Sequence, residues 1–86
     1  MPYRALGCRG HTFVFKTDPA DAAKFHIVAR HLTPPEDAIR VFFEAAVTRW
    51  NRQHDRFESY TDTHGLYWFW RDEARRVAMV ISCFTI

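Results

Sequence analysis

The chain has 86 residues, a length for one domain with one modest core. Hydrophobic residues make up 48% and charged residues 26%, with a net charge of +2, a balance that excludes a disordered chain and is only mildly basic. No apolar run approaches the roughly 18 residues of a membrane-spanning helix, and the opening Met-Pro-Tyr-Arg-Ala-Leu-Gly has no apolar segment of the secretory kind. Cys8 and Cys83 stand far apart in sequence, which is no disulfide framework and fits a reducing, cytoplasmic setting.

Residues 1–10 carry Pro2, Gly7 and Gly10 and read as an irregular lead-in. Residues 11–16 are β-branched and aromatic, which predicts a short strand. Asp18-Pro19 has the form of a helix start, and Ala22, Phe25, Val28, Ala29 and Leu32 continue an apolar stripe, so a helix is expected to about His31. Thr33-Pro34-Pro35-Glu36 reads as a capping box opening a second helix to about Arg52, with Ile39, Phe42, Phe43, Ala46 and Trp50 on its buried face. From residue 56 the period changes to two. A strand over 56–62, a turn at Thr63-His64-Gly65, an aromatic strand over 66–70, a hairpin loop at 72–75 and an apolar strand over 77–84 follow.

The order β-α-α-β-β-β predicts a single α+β domain over 1–86, with two helices packed on one face of a four-stranded, mainly antiparallel sheet. Its last two strands are apolar on both faces, and two helices cover only one. The aromatic run Tyr67, Trp68, Phe69 and Trp70 is therefore expected at an interface, with a second copy or another protein as partner. The competing expectation is that the first ten residues fold over that face.

Catalytic motifs are sparse. Cys8-x-x-His11 is half of a zinc pattern without its other half, and His26 and His31 are spaced to opposite sides of a helix, so neither metal nor cofactor is expected. Ser59 and Ser82 lack a nucleophile elbow, and Cys83 lies in an apolar strand that would keep its thiol protonated and inert. The basic residues remain, ten Arg and two Lys. Codon bias accounts for such a skew, yet arginine's planar fork also suits phosphate and carboxylate. Arg30-His31, then Arg49, Arg52, His54 and Arg56, then Arg71, Arg75 and Arg76, fall at helix and strand ends that would share one rim. Such a rim would position a phosphodiester and move a proton.

The segment Arg30-His31-Leu32-Thr33-Pro34-Pro35-Glu36-Asp37-Ala38-Ile39-Arg40-Val41-Phe42 resembles a run in BrnT-type toxins. Phe13-Val14-Phe15, Asp18, Arg56-Phe57 and Val80-Ile81-Ser82 resemble further stretches of that family. It departs at Leu32, where the family has glycine, and at Cys83-Phe84, where it has Ala-Arg. The family is one of small RelE-like ribonucleases held by an antitoxin. The resemblance implies a toxin-like ribonuclease, or a catalytically weakened relative, with an antitoxin-like partner. His31 would be proton donor or acceptor, Arg56 the phosphate-stabilising cation, and Arg30, Arg52 and Arg71 the supporting RNA contacts. The alternative is a non-enzymatic interaction module, such as an immunity or inhibitor protein or a small dimeric accessory protein.

Overall fold

In a computed structural model that describes residues 3–18, 21–25 and 33–86, the chain is mostly β. Strands β1 (Tyr3–Cys8), β2 (His11–Asp18) and β3 (Asp21–Phe25) precede one helix, α1 (Pro35–Glu44). Strands β4 (Val47–Asn51), β5 (Arg56–Tyr60), β6 (His64–Asp72) and β7 (Val77–Thr85) follow it. The sheet order is β1-β2-β7-β6-β5-β4, with β3 pairing β2 off this path. All neighbours are antiparallel except β2 and β7, which run parallel in the middle of the sheet.

This overturns the expectation of two helices on a four-stranded sheet. Residues 3–8 are not a lead-in but an edge strand, closed on β2 by a two-residue hairpin in which Arg9 and Gly10 both take positive φ (51° and 77°). They extend the sheet rather than fold over its face. Where the first helix was expected, residues 21–25 pair with β2 through a register shift at Thr17/Asp18, a cross-strand contact that a helical stripe cannot report. The remainder of that expected helix, including Arg30 and His31, lies outside the described residues. The second helix is half its expected length. Pro34 rather than Thr33 is its N-cap, and Pro35 takes the first turn. It ends at Ala45, whose backbone is extended (ψ 128°), and the Ala46 amide then donates to the Tyr60 carbonyl, opening the β4–β5 pairing. Val47, Thr48 and Trp50 are strand formers, and their pairing with β5 outweighs the helical spacing of Trp50.

The helix lies across one face of the sheet. Ala38 and Val41 meet Phe13, Phe15, Leu66, Trp68, Ala78, Val80 and Cys83 in a single buried cluster. Phe42 and Phe43 set their edges against His11 and Phe13, with ring centroids 5.0–5.8 Å apart. A polar chain runs from the core of the same face to its edge: the Trp68 indole donates to Ser59 Oγ at 2.9 Å, and Ser59 Oγ lies 2.8 Å from Thr48 Oγ1. The opposite face has no helix on it among the described residues.

Candidate functional site: the open face of the sheet

Strand pairing assigns the side chains to faces, because directly paired residues point the same way. Arg49, Glu58, Tyr67 and Ser82 form one row across β4 to β7 on the open face. Asn51 and Arg56 flank it toward one end, and Tyr60, Gly65 and Phe84 toward the other. Phe69, Met79 and Val14 continue the face across β6, β7 and β2, with Tyr3 and Lys16 beyond.

Glu58 is the polar centre of this face and is almost fully buried at 8% exposure. Asn51 Nδ2 donates to its Oε2 at 2.9 Å, and Arg56 donates to the same oxygen through Nε at 3.0 Å and Nη2 at 2.9 Å. The Tyr60 hydroxyl reaches Oε1 at 3.5 Å. The Asn51 hydrogen bond, opposed by burial and aided by the Arg56 bond and charge and by the Arg49 charge, holds the Glu58 carboxyl below its ordinary value near 4.5. Burial first, then the Tyr67 hydroxyl and the neighbouring negative charge, push the Tyr60 phenol up. The Arg56 guanidinium also lies over the Tyr67 ring, 3.8 Å from its centroid, and Arg49 lies 5.8 Å from that of Tyr60.

Of the expected site residues, Arg30 and His31 lie outside the described residues, and Arg52, Arg56 and Arg71 fall toward the end of the sheet where β4 turns into β5 and β6 into β7. Arg56 is on the open face with its guanidinium engaged from two sides. Arg52 is exposed in the turn between β4 and β5, and Arg71 is exposed near the end of β6. The four residues of the aromatic run divide by face. Trp68 and Trp70 lie on the helix side, where Phe42 contacts both rings at 4.7 and 6.0 Å. Tyr67 and Phe69 lie on the open side. A continuous apolar run cannot present all four rings to one partner, because a strand alternates its faces. Cys8 and His11 do face one another across the first hairpin. No group of three metal-ligating side chains accompanies them among the described residues. Burial pushes the Cys83 thiol up to about 11, with the Asp37 charge adding to it, as its place in an apolar strand suggested.

Sequence reading missed Glu58, Asn51 and Tyr60. The signal available was a charged residue alternating with apolar ones in a strand, which ordinarily marks a solvated face. Here cross-strand donors turn that position into a buried carboxylate.

Phe69 (36%), Tyr3 (44%) and Val47 (52%) are exposed large apolar side chains of the face, and Phe69 and Tyr3, with Arg71 and Met79, line a shallow cavity of about 210 Å³. Lys16, Arg49 and Arg71 are exposed on the same face. Glu58 and Asp72, acids that the strand registers place here, are engaged by Arg56 and Arg75, so Lys16, Arg49 and Arg71 are displayed as further positive charge on the face. Among the described residues, no helix is long and apolar enough to cross a membrane. Compared with known protein families, with curated proteins and with solved structures, the chain matches none.

Proposed function

We propose that the protein is a non-enzymatic interaction module whose open sheet face docks a partner protein through an apolar, acidic segment. The observation that carries this reading is the pairing of exposed Phe69 and Tyr3 with the exposed cations Lys16, Arg49 and Arg71 on a face that has no helix among the described residues. Apolar contact would supply affinity, and the cations would select an acidic surface. Two copies meeting through this face would set those same cations against one another, which disfavours a second copy as the occupant.

A ribonuclease reading asks Arg56 to stabilise phosphate. Its guanidinium instead completes the Glu58 site and covers Tyr67, and that engagement favours docking over phosphoryl chemistry. The test compares retention of the full chain on immobilised poly(Glu,Tyr) and on polyuridine, with the RNA inspected for cleavage. Retention on poly(Glu,Tyr) that Phe69→Asp and Arg71→Glu each weaken is the expected result. Preferential retention on polyuridine, or its cleavage in a manner lost on Arg56→Ala, would overturn the proposal in favour of the ribonuclease.

A further inference from the structure

A second feature lies at the end of the sheet where the β4–β5 and β6–β7 hairpins turn. The last pairing of β6 with β5 is Trp68 with Phe57, while β6 and β7 stay paired to Asp72 and Val77. The outer edge of Phe69–Asp72 is therefore open on the β5 side, and the turn 52–55 stands beside it. The resulting notch has a volume of about 420 Å³ and is lined by Trp50, Phe57, Phe69, Trp70, Asp55 and Glu73.

Four of these six are aromatic and the other two are carboxylates. Trp50 is 49% exposed, an unusual display of a large apolar side chain. The rings of this cluster meet at steep angles. Trp50 is inclined 68° to Phe57 at 4.9 Å between centroids, and Trp70 stands at 90° to Trp68, which stacks on Phe57. Steeply inclined aromatic walls offer several π faces to one guest. The acids come from the two hairpin tips. Asp55 has positive φ (51°) at the end of a turn in which Asn51 Oδ1 accepts from the Gln53 and His54 amides at 3.0 and 3.1 Å. Glu73 begins a turn in which its carbonyl accepts from the Arg76 amide at 3.0 Å. Among the described residues, neither carboxylate forms an ion pair, whereas neighbouring Asp72 is paired with Arg75.

From this geometry we propose that the notch binds an alkylated ammonium cation. Aromatic faces attract a cation through their quadrupole, and methyl groups lower its hydration so that it leaves water readily. The two carboxylates supply the charge balance that a neutral aromatic notch lacks. A strongly hydrated, unmethylated ammonium gains less from such walls, and a neutral group of the same shape gains only from apolar burial.

Tryptophan fluorescence of the full chain reads the site directly, because Trp50 and Trp70 line it. Tetramethylammonium chloride is the probe, with sodium chloride at matched ionic strength and tert-butyl alcohol as the neutral shape control. Saturable quenching by tetramethylammonium alone is expected. Trp50→Leu, which keeps an apolar side chain at an exposed edge position, should weaken binding by roughly tenfold. Asp55→Asn with Glu73→Gln should weaken it about fivefold and flatten its salt dependence. Far-UV circular dichroism confirms that each variant is folded. Comparing choline with a trimethyl-lysine peptide then separates a free quaternary ammonium from a protein side chain as the source. No saturable change with tetramethylammonium, equal binding of tert-butyl alcohol, or folded variants that bind like the wild type would each overturn the proposal.

Discussion

A carboxylate that loses its water on folding keeps its charge at position 58 because Asn51, Arg56 and Tyr60 converge on it. Its folded pKa lies below the ordinary value, so this group stabilises the fold above that ordinary value, and the contribution is lost as pH falls through the folded value. Thermal melts over an acid series should therefore show the wild type losing stability more steeply below about pH 4.5 than Glu58→Gln does. At neutral pH, Glu58→Gln should itself cost on the order of 1 kcal/mol, because the Arg56 guanidinium loses its charged acceptor at a face open to solvent. Equal pH profiles for the two proteins would show that the network does not hold Glu58 ionised. The cysteines give a second residue-scale prediction. Cys83 is fully buried with its thiol pushed up to about 11, while Cys8 is partly accessible. A thiol reagent at mildly alkaline pH should label Cys8 in the native protein and Cys83 only after denaturant is added.

Strand β6 carries the element-scale case. Gly65 lies under two rings of the open face, and a Cβ there would meet Phe84 at 2.6 Å and Tyr60 at 3.0 Å. Both neighbours are ring atoms, so Gly65→Ala forces aromatic side chains out of place, and a loss of roughly 1–3 kcal/mol is expected from urea unfolding. Unchanged stability would mean that the rings do not close over this position. The same strand shows what a sequence discloses. Its period-two pattern and the turns on either side were legible from Leu66, Trp68 and Trp70 against Tyr67 and Phe69, as were β5 and β7. Before the helix, β2 was legible from its β-branched and aromatic residues, while β1 and β3 were not. Asp18-Pro19 and the stripe through Phe25 satisfy every local rule for a helix, yet residues 21–25 pair with β2. Trp50 falls on a helical spacing from Ile39 and Phe42 but sits in β4, where it packs against Phe57. In both places the deciding contact is pairing with the next or preceding strand, which helical periodicity does not contain. For the same reason Arg56 was legible as a distinctive cation while its partner Glu58 was not.

At the scale of the whole molecule, among the described residues one ten-residue helix serves a sheet whose main path has six strands. The helix face closes with Trp68 and Trp70 beneath Phe42, and the other face presents exposed aromatic and basic side chains around the Glu58–Arg56 pair. That asymmetry is the physical basis of the proposed docking role, and it predicts a monomer in sedimentation at low salt, where like charges on the face repel most strongly. The most direct test is position-specific photocrosslinking in living cells. A photoreactive phenylalanine analogue replaces Phe69 on the open face in one sample and exposed Glu36 on the helix in the other. A discrete protein adduct from position 69, weakened when Lys16 and Arg71 are both changed to Glu and missing from position 36, is the predicted result. An adduct removed by ribonuclease, equal adducts from both positions, or none from position 69 would contradict the account.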